Sequence, residues 1–253
     1  MSERQKKILE LLETQGSVSI ASLSELFGCS LVTIRNDIRE LESQGQLERT
    51  RGGAKKVSHA ESAETAFPSL QRNTGAKQRI AARAYDYISE NSTILLDDSS
   101  ASYFLAQHIS RHPEKAMAVL TNSLPSATVL AGCPHVQLYL IGGHVGGHLP
   151  ATMGEQTTET IRNVFVDMAF ISVHSINFNV GLTSIGTPQM QIKRAILDTT
   201  DKVFVLADSA KFGAGYLEVI CPLSEVYRII TDSGLKKEYI DKAEAEHIPL
   251  ELC

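Results

Sequence analysis

The sequence predicts an α/β protein with two domains, a small helical head and a larger domain in which strands and helices alternate. Two amphipathic helices separated by a tight turn lie within residues 20–44, and apolar strands alternate with helices from residue 76 onward. The polar residues 58–75 between them show no sustained periodicity. We therefore assign residues 1–57 to the head, 58–75 to a linker and 76–253 to the second domain. A chain of 253 residues, 43% of them hydrophobic, is long enough for both.

The head contains a helix-turn-helix pattern after a first predicted helix over residues 5–14. A helix over residues 20–27 is followed by a turn and by a helix over residues 31–44. In the turn, Gly28 supplies backbone freedom, and Ser30 can cap the following helix by accepting a backbone hydrogen bond. The residues of the two later helices that recur at helical spacing, and are expected to face inward, are Leu23, Leu26, Phe27, Leu31, Ile34, Ile38 and Leu41.

The third helix leaves Arg35, Asn36 and Arg39 facing outward. Arg and Asn side chains match the edges of guanine and adenine in the major groove, and they also hold phosphates. A Gly52-Gly53 pair then predicts a hairpin surrounded by basic residues, and a short strand at Val18 would complete a winged helix-turn-helix. The head is therefore predicted to bind double-stranded operator DNA. Its candidate contact residues are Ser30, Val32, Thr33, Arg35, Asn36, Arg39, Arg49, Arg51, Lys55 and Lys56.

Charge and cysteine usage restrict the class of protein. Residues 1–57 hold nine Lys and Arg against eight Asp and Glu, whereas the rest of the chain holds 15 against 21, so a basic surface is confined to the head. The four cysteines share no metal-ligand spacing and are expected to be reduced thiols. Neither a signal sequence nor an apolar run of membrane-spanning length is present, so we expect a cytoplasmic protein without a membrane partner.

The second domain is predicted to contain a doubly wound, mostly parallel sheet. Its continuous apolar strands, separated by helices, indicate a sheet that is covered on both faces. The predicted strands are residues 93–96, 116–120, 136–141, 168–173, 203–207 and 226–230. The predicted helices are residues 76–89, 103–111, 125–130, 155–163, 188–199 and 236–246. Ligands of such sheets bind beyond the carboxyl ends of the strands, and polar residues follow most of these strands.

Both parts of the chain resemble the DeoR family of bacterial sugar-metabolism repressors. In the head, the matching motifs are Thr33-Ile34-Arg35-Asn36-Asp37-Ile38 and Arg49-Thr50-Arg51-Gly52-Gly53-Ala54. In the second domain they are Asp97 with Ser100, Thr121-Asn122-Ser123, Gly142-Gly143, Gly154, Gly181-Leu182-Thr183, Lys193-Arg194-Ala195, Asp208-Ser209, Lys211-Phe212-Gly213 and Thr231-Asp232. The resemblance implies a sensor domain similar in fold to sugar-phosphate isomerases, with a phosphorylated sugar or sugar-acid effector.

The resemblance also implies which residues bind the effector, and four sites depart from the family pattern. The candidate effector-binding residues are Asp97, Ser99, Ser100, Ser102, Asn122, Gly143, His174, Lys193, Asp208 and Lys211. The departures are Asn36 in place of a second Arg, Ser99-Ser100-Ala101 in place of a Gly-Thr-Thr type loop, His174-Ser175 in place of Asp-Gly, and Gln189 in place of an acidic residue. They leave the operator sequence and the identity of the effector open.

Two functions are consistent with this pattern. The first is a transcriptional regulator, expected to be a repressor of a carbohydrate operon. The alternative is a sugar-phosphate isomerase fused to a DNA-binding head, for which Asp97, Asp208 and Lys211 would supply suitable chemical groups. We expect the regulator, without a catalytic residue, cofactor or metal, because the histidines lack ligand spacing and no nucleophile or phosphate-loop motif is present. One recognition helix covers few base pairs, so a dimer or tetramer is also expected.

Overall fold

The computed structural model describes residues 2–43, 47–50, 52–56, 67–147 and 149–253. Its contacts divide the chain into two compact units with a boundary between residues 62 and 63. The first unit is the head, and each unit has its own core. Within the part of the chain that is described, no helix is both long enough and apolar enough to cross a membrane.

The head is a winged helix-turn-helix, as predicted. Its elements are α1 (Glu3–Gln15), β1 (Ser17–Ser19), α2 (Ile20–Phe27), α3 (Leu31–Ser43), β2 (Leu47–Thr50) and β3 (Gly53–Lys56). The three strands form an antiparallel sheet in the order β1-β3-β2. The wing requires glycine at position 53, because a Cβ there would lie 1.9 Å from the carbonyl oxygen of Val18 on the neighbouring strand.

The core of the head confirms most of the predicted inward residues and corrects two. Its buried members are Ile8, Leu12, Leu23, Ile34, Ile38, Leu41, Leu47 and Ala54. Leu26 and Leu31 were predicted to face inward, but their exposed fractions are 62% and 45%. Both lie beside the turn, Leu26 near the end of α2 and Leu31 at the start of α3, beyond the parts of these helices that pack on the core.

The second unit begins earlier than predicted. A short helix, α4 (Pro68–Gln71), places the side chain of Leu70 in the core of this unit, where it is fully buried. Residues 67–75 were assigned to the linker because they are polar on average, and the apolar anchors Phe67 and Leu70 were not recognised. Residues 57–66, the remainder of the predicted linker and the end of the wing, lie outside the described residues.

The remaining elements of the second unit alternate along the chain. The helices are α5 (Thr74–Asp86), α6 (Ser100–Arg111), α7 (Leu124–Leu130), α8 (Glu155–Arg162), α9 (Thr187–Leu197) and α10 (Lys237–Ala245). The strands are β4 (Ser92–Leu96), β5 (Met117–Thr121), β6 (Val136–Leu140), β7 (His144–Gly146), β8 (Ala151–Met153), β9 (Met168–Ile171), β10 (Ser175–Asn177), β11 (Gly181–Ser184), β12 (Val203–Leu206), β13 (Glu218–Cys221), β14 (Arg228–Thr231) and β15 (Leu250–Leu252).

Seven of these strands form one parallel sheet in the order β15-β14-β12-β9-β4-β5-β6. This confirms the predicted doubly wound α/β fold. From β4 the chain adds β5 and β6 on one side and later adds β9, β12 and β14 on the other, so the strand order reverses between β4 and β9. In open parallel sheets, ligands bind at such a reversal, beyond the carboxyl ends of the strands.

Two apolar clusters cover the two faces of this sheet. One contains Ile80 of α5, Phe104 of α6 and Leu130 of α7 against the inner strands. The other contains Ile161 of α8 and Ile192 of α9, with the partly buried Ile240 of α10 packed against it. The hairpin β7-β8 and the small antiparallel sheet β10-β11-β13 were not predicted, because each consists of strands of only three or four residues.

Candidate DNA-binding surface and effector site

The outward face of α3 carries the predicted base-reading residues. Val32, Arg35, Asn36 and Arg39 are all exposed, while Ile34 and Ile38 of the same helix are fully buried beneath them. A salt bridge of 2.6 Å from Arg4 Nε to Asp37 Oδ2 ties α1 to α3. The helix is therefore held by its inner face and by α1, and its outer face presents hydrogen-bonding side chains to solvent.

The amino terminus of α3 is closed by the predicted cap. The Ser30 hydroxyl accepts a hydrogen bond of 3.2 Å from the backbone N–H of Thr33, and the two hydroxyl oxygens are 2.9 Å apart. Ser30 is exposed and Thr33 is half-buried. Both hydroxyls lie at the helix end where backbone N–H groups also favour a phosphate, so the cap lies where the phosphate contact is predicted.

The wing presents part of its predicted basic set. Arg49 on β2 and Lys55 on β3 are exposed, and Arg49 Nη1 lies 3.5 Å from Glu42 Oε2 at the end of α3. Exposed pairs of this kind contribute little to stability, so the arginine can exchange its partner for a phosphate at small cost. Arg51 and the side chain of Lys56 lie outside the described residues.

In the second unit, Asp97 lies at the point where the strand order reverses. It follows β4, is wholly buried, and forms a salt bridge with Lys193 of α9, which is also buried. The same carboxylate accepts hydrogen bonds from Ser102 Oγ at 2.6 Å and from the backbone N–H of Ser172, beyond β9, at 2.9 Å. The Asp97 carboxylate thus joins β4, α6, β9 and α9 through its own contacts.

Burial and mutual charge shift the pKa values of Asp97, Asp98 and Lys193. Burial alone would raise the pKa of Asp97, but the charge and hydrogen bonds of Lys193, with help from Ser102 and Ser99, lower it. Burial lowers and the two carboxylates raise the pKa of Lys193, with a net increase. Asp98 Oδ1 also lies 3.7 Å from Lys193 Nζ, and burial together with the charge of Asp97 raises the pKa of Asp98. One ammonium group is therefore shared between two carboxyl groups.

The serine loop after Asp97 begins α6. Ser99 is its N-cap, with a hydroxyl that accepts a 3.1 Å hydrogen bond from the backbone N–H of Ser102. Ser102 itself is buried, whereas Ser99 and Ser100 are half-buried. Of the three predicted serine ligands, Ser102 therefore points into the fold, and Ser99 and Ser100 are nearer the surface.

The end of β5 provides a buried amide with an unused acceptor. Asn122 Nδ2 donates to the carbonyl oxygen of Thr152 at 3.0 Å, but Asn122 Oδ1 has no hydrogen-bond partner among the described residues. Gly143 lies after β6 with a φ of 149°, and a Cβ there would approach Thr157 Oγ1 to 2.0 Å. A buried oxygen without a donor costs free energy, which suits a position that binds a ligand hydroxyl.

His174 follows β9 and its Nδ1 is directed toward the end of β11. That nitrogen lies 3.3 Å from Ser184 Oγ. It also accepts a hydrogen bond of 3.4 Å from the backbone N–H of Ile185. The imidazole ring packs edge-on against Tyr216, with 6.1 Å between the ring centroids. These contacts set the orientation of the ring where the family has an aspartate.

Two residues near Asp208 were missed by the sequence analysis. Asp208, which follows β12, accepts a 2.9 Å hydrogen bond from Asn73 Nδ2.

Lys77 is buried on α5 and donates to the carbonyl oxygens of Ser69 and Arg72 at 2.7 Å each. Burial lowers its pKa to about 8. Asp208 partly offsets this shift, and Lys211, which is half-buried, adds to it. A lysine spaced with Ile80, Ala81 and Ala84 on the inward face of α5 was the available signal.

Some of the predicted residues thus lie in two hydrogen-bonded groups at the carboxyl ends of the strands, together with Ser172 and Asn73, which were not predicted. Asp97, Ser102, Ser172 and Lys193 form one hydrogen-bonded cluster, and Asn73 and Asp208 form another. Contact of any of them with an effector remains a prediction. Among the described residues, no three His, Cys, Asp or Glu side chains are grouped so as to hold a metal ion.

Comparison with known proteins identifies both units. Residues 4–60 match the model of the DeoR-like helix-turn-helix domain, and residues 72–233 match that of the DeoR C terminal sensor domain. The chain is 28% identical over 237 residues to the L-fucose operon activator of Haemophilus influenzae, covering 93% of each protein. It is 29% identical over 235 residues to the transcriptional repressor AccR of Agrobacterium fabrum, covering 92% of this chain and 90% of that protein.

A weaker likeness is to ribose 5-phosphate isomerase from Plasmodium falciparum, with a TM-score of 0.40 and 15% identity over 55% of this chain and 52% of the other. The family assignment comes from the two domain models, of which the sensor model alone matches more than half of the chain. The chain belongs to the DeoR family of DNA-binding transcriptional regulators.

Proposed function

We propose that this regulator represses a carbohydrate operon by binding operator DNA through α3 and the wing, and that a phosphorylated sugar or sugar acid controls the binding. The observation that carries the proposal is the joining, in one chain, of a DeoR-type head with an exposed polar recognition face and a DeoR-type sensor with polar groups at the strand reversal. A relative that is named as the activator of a sugar operon supports carbohydrate control.

On the DNA side, Arg35, Asn36 and Arg39 read base edges, because they are exposed in a row on a helix whose other face is fixed. The residues that contact phosphates are Ser30, Thr33, Arg49 and Lys55. Phosphate contacts supply affinity that does not depend on sequence, and contacts to base edges supply discrimination. A regulator needs both for its operator.

On the effector side, the Ser99 and Ser100 segment and Lys211 bind the phosphate, and Asn122 and Asp208 bind hydroxyl groups of the sugar. Lys211 takes the role of the cation because Lys193 already neutralises Asp97 and lies near Asp98. The N–H groups at the start of α6 and the serine hydroxyls supply donors. Lys193 then acts by holding Asp97 in place, and Asn122 Oδ1 gains a donor when the effector binds.

An isomerase activity is disfavoured by the state of Asp97. A general base needs an accessible carboxylate with a pKa near the working pH. Asp97 is wholly buried, accepts hydrogen bonds on both oxygens, and has a lowered pKa. A carboxylate fixed in this way supports the fold and is a weak base.

The test is a calorimetric titration of the full chain with a panel of phosphorylated sugars, their unphosphorylated counterparts, sugar alcohols and sugar acids. We expect one phosphorylated member to bind, to lose its affinity in Lys211→Ala, and to change the affinity for DNA selected by the wild-type protein. Lys202→Ala, which removes an exposed lysine of the same unit, serves as the control. Tight binding of an unphosphorylated compound that Lys211→Ala leaves unchanged would overturn the phosphate assignment, and interconversion of sugar phosphates would establish the enzyme instead.

A further inference from the structure

The two edges of the seven-stranded sheet differ in their protection. At one edge, β15 has three residues and carries Glu251, whose carboxylate is bound by Arg83, by the Tyr87 hydroxyl and, at 3.2 Å, by Arg228. Short edge strands and charged groups prevent another strand from pairing with an open edge. This edge is therefore closed to a second sheet.

The opposite edge has neither form of protection. β6 has five residues, Val136–Leu140, and none is Asp, Glu, Lys or Arg. Just before and just after this strand, His135 accepts a backbone hydrogen bond from Met117 N and Ile141 donates one to Thr121 O. The backbone groups of the odd-numbered residues 135–141 therefore point toward β5. Because alternate residues of a strand point in opposite directions in the sheet, the backbone groups of Leu138 and Leu140 are directed outward.

The sheet face next to this edge is also uncovered. Leu95, Leu120 and Tyr139 lie in one row across β4, β5 and β6. Leu95 is fully buried, Leu120 is half-buried and Tyr139 has an exposed fraction of 48%, because α9 packs against β9 rather than over β5 and β6. Leu140, at the end of β6 and on the opposite face of the sheet from Tyr139, is 52% exposed. An apolar face thus continues to an open strand edge.

We propose that this surface, defined as the β6 edge with Tyr139 and Leu140, pairs with the same surface of a second copy of the chain across a two-fold axis. Antiparallel pairing of two identical strands is self-complementary and would satisfy the outward backbone groups of Leu138 and Leu140 in both copies. An uncharged strip also suits a chain whose residues beyond 57 carry 15 basic and 21 acidic side chains, because two such acidic units meet with least repulsion at a neutral surface.

The inference rests on the proposed function for the need to bring two heads together on repeated half-sites. It adds the surface that does so. Tyrosine and leucine side chains suit the buried centre of such an interface. The β15 edge of the same sheet, which we do not expect to pair with another strand, instead carries the charged contacts of Glu251.

Sedimentation velocity of the full chain at micromolar concentration tests the proposal. We expect a dimer or a larger even assembly for the wild type, and a dimer dissociation constant raised at least about 100-fold in Leu140→Lys, because each copy would bring a charge into an interface that offers no opposite charge. Leu217→Lys changes another exposed leucine, with an exposed fraction of 91%, and should leave the assembly unchanged. Circular dichroism verifies that both variants remain folded.

Hydrogen exchange provides the second measurement. The amides of Leu138 and Leu140 should exchange slowly in the wild type at high concentration and rapidly in Leu140→Lys. A monomeric wild type, an assembly that Leu140→Lys leaves intact, or fast exchange of both amides in the assembled wild type would overturn the interface. Selection of DNA by the wild-type protein from a random pool tests the proposed function separately, since a failure there leaves the sedimentation result unaffected.

Discussion

The recognition face of α3 and the strand-end cluster of the second unit use polar side chains in opposite ways. Arg35 and Arg39 are exposed, and the position of α3 is set by the buried Ile34 and Ile38 beneath them. At the strand ends, Asp97 is itself buried and holds four elements together. The candidate DNA-reading side chains thus contribute little to the fold itself, whereas the groups beside the strand reversal are part of it.

This difference has a consequence for variation in sequence. Under the proposed function, we expect a substitution on the outer face of α3 to alter the operator and leave stability unchanged, and Asn36 stands where the family pattern has Arg. A change at Asp97 or Lys193 must also keep a buried charge compensated, because an unpaired charge in the interior is expensive. Substitutions in the two regions should therefore give different readouts.

The largest expected effect is that of Lys193→Met on stability. Removal of the ammonium leaves Asp97 buried without its partner, and breaking such a pair costs roughly 3–5 kcal/mol. All seven tyrosines lie between residues 85 and 239, so tyrosine fluorescence during urea unfolding reports on the second unit. The control Lys202→Met removes an exposed lysine and should change the unfolding free energy by less than about 0.5 kcal/mol. Equal costs for the two variants would show that the pair is not structural.

A second buried cation should give a pH dependence. The folded-state pKa of Lys77, about 8, is below the unfolded value of 10.5, so the folded state binds this proton less tightly. Stability should therefore rise as the pH increases from 8 toward 10.5, by up to about 2 kcal/mol between pH 7.5 and 9.5. The comparison is with Lys77→Met, in which this rise should vanish. An identical pH profile in both proteins would mean that Lys77 is not desolvated.

A smaller effect is expected at the cap of α3. Ser30→Ala removes the acceptor for the Thr33 N–H and should lower the local stability of the helix by about 1 kcal/mol. Hydrogen exchange of α3 amides in the full chain would then become roughly fivefold faster. Ser30→Asp supplies another capping oxygen and should restore slow exchange. If Ala and Asp behave alike, the hydroxyl does not cap the helix.

The smallest effect is that of Lys55→Ala on DNA binding. Without the ammonium group of this wing residue, one phosphate is no longer neutralised, so binding to all sequences should weaken alike and the slope of log affinity against log salt should fall by about 0.9. Lys7→Ala, on α1, is the matched control because Lys7 is also an exposed lysine of the head and is not among the candidate contact residues. An unchanged slope for Lys55→Ala would remove the wing lysine from the interface.

Much of the fold follows from local patterns in the sequence. Six of the seven strands of the parallel sheet were predicted within a few residues from their apolar runs, and the longer helices from their 3.6-residue periodicity, whereas the three-residue β15 and the four-residue α4 were missed. Leu26 and Leu31 were misplaced because the apolar spacing of a short helix does not show where its packing ends. The strands β10, β11 and β13 were missed because they are short and mixed in polarity, and are held by pairing with distant segments.

The residues of the candidate site could be grouped from the sequence, but their partners could not. Parallel strands bring their carboxyl ends to one edge, so Asp97, Asn122 and Asp208 could be grouped from the strand pattern. The pairing of Asp97 with Lys193 joins residues 96 positions apart, and that of Asn73 with Asp208 joins residues 135 positions apart. No periodicity encodes such distant contacts, so these two pairs, and an Asn122 oxygen without a partner among the described residues, required the structure.

The most direct test of the DNA-reading face is a fluorescence titration at fixed salt, with DNA that the wild-type protein has selected from a random pool. Arg35→Ala should lose roughly 1–3 kcal/mol of binding free energy and discriminate less between sequences, while hydrogen exchange of the α3 amides stays unchanged and shows that the head remains folded. Arg79→Ala, an exposed arginine of the second unit, should bind as the wild type does. Wild-type affinity and sequence preference in Arg35→Ala would contradict the assignment of α3 as the recognition helix.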